Sequence, residues 1–358
     1  MTVIADTIDD LTAEWFTGAL REGGTIAADT SVRSTTSALI GTGQLGLVAR
    51  SELAYDGGAG PASLVVKLPS QDQGSRQMGA AMGVYESEVR FYEEIAPRLV
   101  AAEIPRLHWA DVEPATGRFT LVLDDLSGSS DPGDMVAGCS AQQAELAIAE
   151  LVKLQAPVWD DPSLRSRPWL DSSRTALMFG AVAPSLDLFI ERFAERLEPE
   201  HLALVRRLAP KAGSYTAQTW HAPFVVAHSD YRVDNMMFGK TAAAPPIAII
   251  DWQGARLGPP LLDAAIFLGA CLSSEQRREI ERDLLRSYHA DLLAAGISGF
   301  SFEDCWESYR ACSLFPFLLG IAVSVTIAQT ERGDAMWARL VRGCADLVLD
   351  TGAAELLD

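Results

Sequence analysis

Residues 225–238 read VVAHSDYRVDNMMF, and this stretch carries the strongest signal in the sequence. The apolar run VVA is followed by His-Ser-Asp, which ends at Asp230, and Asn235 comes five positions later. A turn then leads to a second apolar run, PIAIIDW at residues 246–252, which carries Asp251 16 positions after Asn235. If residues 236–238 pair antiparallel with residues 247–250, the two strands form a hairpin with Asn235 and Asp251 at its open end, close to Asp230.

Asp230, Asn235 and Asp251 are the residue types that transfer of a phosphoryl group requires. One carboxylate accepts or orients the proton of the attacking hydroxyl, while an amide oxygen and a second carboxylate bind the Mg²⁺ that accompanies the nucleotide phosphates. We therefore predict Asp230 as the catalytic base and Asn235 and Asp251 as metal ligands. Arg232 is placed either to reach the γ-phosphate or to form a surface salt bridge, and the sequence leaves both alternatives open. Asp263, which opens a helix, is expected to bind the backbone of this loop rather than to take part in chemistry.

A second motif is the glycine-rich stretch GTGQLGLV at residues 41–48, with glycines at Gly41, Gly43 and Gly46. Glycines allow backbone N–H groups to approach phosphates closely. A glycine-rich hairpin turn explains the same residues, and the sequence does not decide between the two. A dinucleotide-binding fingerprint is disfavoured, because the loop runs into a strand rather than a helix and the residue 21 positions after Gly46 is Lys67 rather than an acid.

Lys67 ends the apolar run LVVK at residues 64–67. A lysine at the end of a buried strand needs an anion to offset its desolvation, and a kinase-type glycine loop is followed by such a lysine on the next strand. A lysine on an edge strand is the alternative. Residues 80–96 are predicted to form a helix that carries Glu86 and Glu88. We favour Glu88 as the partner of Lys67, with Glu86 as the other possibility.

The chain divides into a strand-rich and a helix-rich part. Strand-forming runs separated by glycine-rich turns occupy most of residues 31–68, and RFTLVLDDL at residues 118–126 predicts a further strand. After the polar segment SGSSDPGD at residues 127–134, apolar residues recur mainly with the period of a helix. The sequence therefore predicts an α+β fold with two lobes: a small antiparallel-β N-terminal lobe with a helix over residues 1–126, and a larger, mainly α C-terminal lobe over residues 127–358.

The charge balance limits the possible partners. Asp and Glu total 48 against 29 Lys and Arg, which gives a net charge of −19. A chain this acidic repels nucleic acid and anionic membranes unless it carries a basic patch, and no run of Lys and Arg provides one. The five cysteines form no CxxC pair, and the N-terminal residues lack the apolar segment of a secretory leader. We expect a reduced, cytoplasmic protein without nucleic-acid or membrane partners.

One stretch has the length of a membrane span. Residues 311–330, ACSLFPFLLGIAVSVTIAQT, contain no charged side chain over 20 positions. The stretch also contains a proline and several hydroxyl side chains, and no basic flank stands out. A buried core helix is therefore predicted rather than a membrane span.

Taken in chain order, these motifs resemble those of the aminoglycoside phosphotransferase and choline kinase-like superfamily, which has the protein-kinase-like fold. The resemblance covers most of the chain and is closest to the bacterial branch near the ecdysteroid-kinase-like proteins. The sequence departs from the usual pattern in two places. Ser229 replaces a glycine, and Asp251 is followed by Trp-Gln rather than Phe-Gly.

The resemblance implies ATP- and Mg²⁺-dependent transfer of the γ-phosphate to a hydroxyl of a small molecule. By motif position, it implies that Lys67 binds the phosphates and that Glu88 anchors Lys67. The LVLDDL segment resembles the hinge of the family, so that Asp125 and Leu126 are expected to contact adenine through their backbone. A nucleotide and a small-molecule alcohol are therefore the expected partners.

The alternative function is a catalytically silent nucleotide-binding regulator, against which the intact set of chemical residues counts. A protein kinase is disfavoured, because GARLGPPLLD at residues 254–263 leads almost directly into a helix and leaves no recognisable activation loop. The sequence predicts neither the acceptor, nor a preference for ATP over GTP, nor the oligomeric state. Candidates for the acceptor pocket are Trp252, Trp306, Tyr309 and Arg310, and for each of them core packing is the stronger expectation.

Overall fold

The computed structural model of the chain describes residues 2–41, 45–171, 173–326 and 329–358. The chain forms two compact units. The first unit contains residues 1–131, 239–244 and 248–254, and the second unit contains residues 132–238, 245–247 and 255–358.

The first unit is built on a five-stranded antiparallel sheet. Its strands are β1 (Ser31–Leu39), β2 (Gly46–Asp56), β3 (Ser63–Pro69), β4 (Leu107–Glu113) and β5 (Arg118–Asp124), in the order β1-β2-β3-β5-β4. Along β3, buried side chains alternate with half-buried ones, which is the pattern of a strand with one face in the core. The register places Lys67 of β3 between Val48 of β2 and Leu121 of β5, in the middle of the sheet.

The helices of the first unit are α1 (Ala13–Glu22), α2 (Gln73–Met82) and α3 (Val84–Arg90). α1 begins where the Thr12 side chain accepts a hydrogen bond from the Trp15 N–H at 3.1 Å. The helix predicted over residues 80–96 is interrupted at Gly83, because the left-handed conformation of this glycine, with φ of 70°, ends α2. α3 then continues as one π-helical turn at Phe91–Ile95.

The second unit is mainly helical. Its helices are α4 (Ala141–Gln155), α5 (Ser173–Gly180), α6 (Val182–Phe193), α7 (Pro199–Leu208), α8 (Tyr215–Thr219), α9 (Leu262–Cys271), α10 (Ser274–Ala294), α11 (Phe302–Cys312), α12 (Leu314–Thr326) and α13 (Glu331–Thr351). A short antiparallel pair lies among them, formed by β7 (Val225–Ala227) and β10 (Arg256–Gly258) with Ala227 opposite Arg256. The remaining strands lie where the chain passes from one unit to the other, and they are β6 (Ser130–Pro132), β8 (Met236–Gly239) and β9 (Ile247–Ile249).

α9 and α12 are apolar around most of their circumference; every residue of α9 and most residues of α12 are buried, as expected for core helices. One stretch within the described residues, Phe302–Thr326, is long and apolar enough to cross a membrane. Of its most apolar window, 67% is buried inside the protein, as in a core helix. The predicted α+β fold, with a sheet-based N-terminal lobe and a helical C-terminal lobe, is confirmed.

Candidate active site

The glycine-rich loop connects β1 to β2, whose antiparallel pairing extends to the base of the loop. Gly41 has a positive φ of 72°, which only glycine adopts without strain. At Gly46, an added Cβ would lie 2.9 Å from the carbonyl oxygen of Leu68 on β3, so the close approach of the two strands requires a glycine. The third glycine of the motif, Gly43, lies outside the described residues.

Lys67 forms two ion pairs within the first unit. Its Nζ lies 2.6 Å from Glu88 Oε1 on α3 and 2.7 Å from Asp251 Oδ1, in the segment that follows β9. Only 15% of the Lys67 side chain and 3% of the Glu88 side chain are exposed. Of the two glutamates that the sequence offered, Glu86 and Glu88, the structure thus places Glu88 beside Lys67.

Burial and charge compete in this cluster. Burial lowers the pKa of Lys67, but the carboxylates of Asp251 and Glu88 outweigh it and hold that pKa above its ordinary value. Burial raises the pKa of Glu88, outweighing the attraction of Lys67, and the charge of Asp251 adds to the rise. Lys67 therefore keeps its proton at neutral pH and offers a fixed positive charge.

The segment that carries Asp251 is held against α3 and the turn that continues it. The Trp252 N–H donates to Glu88 Oε1 at 3.1 Å, and the Trp252 ring stacks on Phe91 with centroids 3.7 Å apart. Asp251 has a φ of 67°, in the left-handed region that residues other than glycine rarely adopt. Strained polar residues cluster at functional sites, where the surrounding contacts maintain them. Trp252 is a core residue. This agrees with the expectation that core packing, rather than a role in an acceptor pocket, explains it.

Asp125, at the end of β5, is held by donors from three parts of the sheet region. Its carboxylate accepts hydrogen bonds from Arg50 Nε at 2.6 Å, from Ser63 Oγ at 2.7 Å and from the Ser127 N–H at 2.9 Å. Burial raises the pKa of Asp125, but these donors outweigh it and lower the pKa to about 2. The side chain thus fixes the end of β5, and only the backbone of Asp125 remains for a ligand.

Leu126 begins a tight turn. Its carbonyl oxygen accepts hydrogen bonds from the N–H groups of Ser129 and Ser130, at 3.1 and 3.0 Å. Both lone pairs of this carbonyl are therefore used by the turn, so an adenine contact at Leu126 would have to come from its N–H.

The loop after β7 is anchored by Asp263 at the start of α9. The Asp263 carboxylate accepts hydrogen bonds from the N–H groups of His228 and Ser229, both at 2.8 Å. Ser229 has a φ of 65°, in the left-handed region that residues other than glycine rarely adopt, so this anchor holds a strained residue. Burial raises the pKa of Asp263, although the charge of His228 and the two N–H groups oppose the rise. The backbone role expected for Asp263 is thus observed.

The carboxylate of Asp230 is held by two side chains from its own loop. Arg232 Nε donates to Oδ1 at 2.8 Å, and Asn235 Nδ2 donates to Oδ2 at 2.8 Å. The same Nδ2 also donates to the main-chain carbonyl of Asp230 at 2.8 Å. The Asp230 side chain is nonetheless 38% exposed. The protein therefore fixes the direction of this carboxylate and leaves it open to solvent.

Arg232 makes further contacts within the second unit. Its Nη1 lies 3.4 Å from Asp234 Oδ2 and 3.7 Å from Met336 Sδ on α13. Of the two alternatives that the sequence left open for Arg232, the structure shows salt bridges, to Asp230 and Asp234. Contact with a γ-phosphate stays a prediction.

The structure adds Arg256 on β10, which the motifs did not identify. Because Arg256 pairs with Ala227 at the end of β7, its side chain is close to the loop that carries Asp230. Burial lowers the pKa of Arg256 to about 10, while the carboxylates of Asp263 and Asp230 oppose that fall. The sequence gives only a weak signal for a functional role of Arg256, since a single arginine in the stretch after Asp-Trp-Gln also suits an exposed strand.

Asn235 and Asp251 carry the oxygen atoms that a hard divalent cation prefers. The Asn235 Nδ2 donates two hydrogen bonds to Asp230, which leaves the amide oxygen as the ligand atom. Asp251 Oδ1 accepts from Lys67, and Oδ2 accepts from Gln253 Nε2 at 3.4 Å. The oxygen atoms of Asn235 and Asp251 thus fit the role of Mg²⁺ ligands, each residue considered within its own unit.

Tyr309 and Arg310 of α11 take structural positions. The buried Tyr309 hydroxyl donates to Glu281 Oε2 at 2.9 Å, and Arg310 Nη2 donates to the Gly352 carbonyl at 3.0 Å. Packing within the helical unit, rather than binding of an acceptor, accounts for both residues.

The chain is similar to known phosphotransferases. The profile of the Phosphotransferase enzyme family (APH) matches residues 53–298. No curated protein matches the sequence. Among solved structures, choline kinase from Cryptosporidium parvum Iowa II is similar with a TM-score of 0.57 at 11% identity, over 95% of this chain and 97% of that chain. The microcompartment-associated aminopropanol kinase has a TM-score of 0.53 at 13% identity, over 96% of this chain and 99% of that chain.

A third similar structure is Plasmodium vivax ethanolamine kinase, with a TM-score of 0.51 at 10% identity, over 88% of this chain and 84% of that chain. At such identities the similarity establishes the fold alone. The predicted protein-kinase-like fold is thereby confirmed. The finer placement near the ecdysteroid-kinase-like proteins stays a prediction.

Proposed function

Because the chain belongs to the Phosphotransferase enzyme family, we propose that it transfers the γ-phosphate of ATP to a hydroxyl group of a small molecule, with Mg²⁺ on the nucleotide. The observation that carries this proposal is the Asp230 carboxylate, which Arg232 and Asn235 orient and which stays 38% exposed. An acid with a purely structural role has its oxygens enclosed, as at Asp263. An oriented, accessible carboxylate is what an attacking hydroxyl requires.

The first lobe, residues 1–126, is proposed to bind the nucleotide. Lys67 contacts the phosphates, and Glu88 holds the Lys67 ammonium in place through the contact at 2.6 Å. The glycine loop around Gly41 and Gly46 covers the phosphates, with Gly43 between them. Asp125 and Leu126 are proposed to contact adenine through their backbone, and the contacts of the Leu126 carbonyl favour its N–H for this role.

The catalytic chemistry is proposed for the second lobe, residues 127–358. The acceptor oxygen forms a new bond to the γ-phosphorus, the bond from that phosphorus to the β–γ bridging oxygen breaks, the proton passes to Asp230, and ADP leaves. Arg232 holds Asp230 and adds positive charge where the γ-phosphate is transferred. Asn235 and Asp251 are proposed as ligands of Mg²⁺, which neutralises phosphate charge when bound.

The partners follow from this proposal. The similar structures are named for kinases of choline, ethanolamine and aminopropanol, all of them small alcohols. We propose a nucleotide and a small-molecule alcohol as the partners here, without nucleic acid or membrane. All five cysteines are free thiols, which suits the reducing cytoplasm that we propose as its location.

The experiment that tests the proposal is label transfer from γ-labelled Mg-ATP into a pool of small metabolites. The variant D230N keeps the shape of the side chain and the acceptor oxygen but cannot take up a proton. We expect it to lower transfer by about 10²- to 10⁴-fold, the usual contribution of a general base, while nucleotide affinity is unchanged.

Asp234 provides a matched control, because it lies in the same loop and also contacts Arg232, at 3.4 Å. D234N is expected to retain transfer within a few-fold of the native chain. Equal transfer by D230N and the native chain would contradict the proposed role of Asp230. Nucleotide binding without any transfer to small molecules would favour the regulator instead.

A further inference from the structure

The hydroxyl of Tyr85 lies at the end of the glycine-rich loop, within the first unit. Tyr85 is the second residue of α3, and it is 4% exposed. Its hydroxyl donates a hydrogen bond to the carbonyl oxygen of Leu45, the residue directly before Gly46. The motifs did not identify this tyrosine, because it follows Leu45 by 40 positions. A buried phenol thus holds a backbone group of the loop that we propose to cover the phosphates.

The register of β2 and β3 shows where this contact lies. The antiparallel pairing of the two strands ends at Gly46, and one further step of the same register would place Leu45 opposite Ser70. Burial raises the pKa of Tyr85, and the charge of Arg76 and a hydrogen bond from the Ser70 backbone oppose the rise. The phenol therefore bridges the two chains where their own pairing stops, because it accepts from the end of β3 and donates to the start of β2.

The Tyr85 ring is itself held by two other elements of the first unit. It stacks on the ring of Phe119 on β5, with centroids 4.6 Å apart and planes 16° from parallel. On α2, an added Cβ at Gly79 would lie 2.5 Å from both Cζ and Oη of Tyr85, so the close approach of this helix requires a glycine. Such close packing restricts the rotamers of the ring and fixes the position of its hydroxyl.

A fixed Leu45 carbonyl also fixes the direction of the next backbone N–H. The peptide unit between Leu45 and Gly46 is planar and trans, so the Gly46 N–H points opposite to the carbonyl and away from Tyr85. Backbone N–H groups are what a glycine-rich loop offers to phosphates. Glycine backbones adopt many conformations, and a loop that is ordered before the ligand arrives loses less entropy on binding. The contact with Tyr85 therefore prepares the end of the loop for phosphates.

We propose that Tyr85 is a positioning residue for the nucleotide phosphates, which through Leu45 holds the glycine-rich loop in the conformation that receives them. α3 then serves two parts of the proposed nucleotide site, because Glu88, one turn after Tyr85, holds the Lys67 ammonium at 2.6 Å. One helix thereby sets the loop and the lysine relative to each other. Tyr85 acts through the loop backbone and does not itself touch the nucleotide.

This inference rests on the proposed function, and its test separates the two. Y85F removes the hydroxyl and keeps the ring that stacks on Phe119. We expect Y85F to raise the Kd of ATP by about three- to tenfold, the usual net effect of one hydrogen bond. The Kd of adenosine, which carries no phosphate, should stay unchanged. Titration of the native chain and of Y85F with both ligands measures the two constants, and thermal unfolding verifies that the variant is folded.

Tyr55 provides the matched control. Its hydroxyl also donates to a backbone carbonyl, that of Pro61 at 2.8 Å, but Tyr55 lies at the opposite end of β2 from the glycine-rich loop. Y55F therefore loses the same kind of hydrogen bond, and it should bind ATP and adenosine as the native chain does. A rise in the Kd of ATP as large in Y55F as in Y85F would attribute the effect to the sheet as a whole and overturn the inference.

An unchanged Kd of ATP in a folded Y85F would overturn the inference and leave the proposed function standing. Equal losses of affinity for ATP and adenosine would give Tyr85 a general structural role and overturn the inference as well. A native chain that does not bind ATP would contradict the proposed function, and the inference would fall with it.

G79A tests the same contact should Y85F fail to fold. The added methyl group leaves the Tyr85 hydroxyl in place but forces the ring to shift, because the new Cβ would lie 2.5 Å from Tyr85 Cζ. We expect the ratio of the Kd of ATP to the Kd of adenosine to rise in G79A. An unchanged ratio would overturn the inference.

Discussion

Each charged side chain that we propose for catalysis is fixed by a partner of opposite charge or by hydrogen-bond donors. Lys67 lies between two carboxylates at 2.6 and 2.7 Å, and Asp230 lies between Arg232 and Asn235. Fixed charges stabilise a developing charge without reorganising during the reaction. The same arrangement makes single substitutions informative, because removing one partner takes a charge or a hydrogen bond from the other.

Lys67→Met is expected to lower the free energy of unfolding by about 3 kcal/mol, because it leaves the buried Glu88 without its cation. K67M/E88Q removes the unpaired charge and should recover part of that loss. Urea unfolding of both variants measures the effect. The control is Lys211→Met, since Lys211 pairs with the half-exposed Asp358 at 2.9 Å and should change stability by less than about 1 kcal/mol. A K67M chain as stable as the native one would show that this ion pair contributes nothing to stability.

Asp125 provides a prediction about pH. Its pKa is lowered to about 2 from the ordinary 3.8, so its ionised form stabilises the fold above pH 3.8, and that contribution is lost as the pH falls through about 2. D125N lacks this contribution. We therefore expect D125N to be less stable than the native chain at pH 7 and the difference to shrink between pH 4 and pH 2. Urea unfolding across this range measures it, and a difference that stays constant would mean that Asp125 has the same pKa in both states.

At the scale of elements, α9 holds the catalytic loop through one side chain at its start. Asp263 accepts the N–H groups of His228 and Ser229, both at 2.8 Å, and so determines where the chain turns before Asp230. This contact joins a helix to a loop more than thirty residues earlier in the chain. The position of the proposed base therefore depends on how α9 packs in the core.

Asp263→Asn should affect turnover more than nucleotide binding. An asparagine offers one acceptor oxygen and turns an NH₂ group towards the second N–H, which costs about 2 kcal/mol and displaces the loop. We expect kcat for transfer to fall by at least about tenfold while the Kd for nucleotide is unchanged. The two are measured by label transfer and by titration. Asp304→Asn serves as control, because Asp304 also lies in the first turn of a helix but caps α11 only.

If D263N lost nucleotide affinity and turnover to the same degree, general loss of folding would explain the result better than displacement of the loop. Full turnover in D263N would show that the anchor has no role in catalysis. The same nucleotide titration on D304N shows whether the loss of a helix cap alone produces such effects.

Much of the elements' arrangement could be predicted from local patterns. The β7 and β9 runs, the glycine loop and Lys67 on β3 were marked by apolar runs and by turn residues at fixed spacing. The helix over residues 80–96 was predicted as continuous, because its apolar periodicity continues through Gly83. The break depends on that glycine adopting a left-handed conformation, with φ of 70°, which periodicity does not show.

Arg256 could not be identified from the sequence for a different reason. Its position comes from the pairing of β10 with β7 and from contacts with α5 and α12, which are far apart in the chain. A single arginine after an apolar strand has no local signature of these contacts. The sequence could suggest the proposed base and metal ligands because those residues occur in one short motif.

At the scale of the whole molecule, the two units are not two consecutive stretches of chain. Segments 239–244 and 248–254 belong to the first unit, although most of the chain around them belongs to the second. The contact of Lys67 with Asp251 spans 184 positions of the sequence. Local periodicity predicts helices and strands, but such a distant pairing becomes predictable only through a family motif that links the two residues.

We propose above all that Asp230 directs a phosphoryl group from ATP to a hydroxyl of a small molecule. The most direct test is the chemical form of the label that the native chain and D230N transfer from γ-labelled Mg-ATP. We expect an acid-stable phosphate monoester of a small molecule, formed by the native chain and reduced by at least about a hundredfold in D230N. Label found only as inorganic phosphate or in protein, or formed equally by D230N, would contradict it.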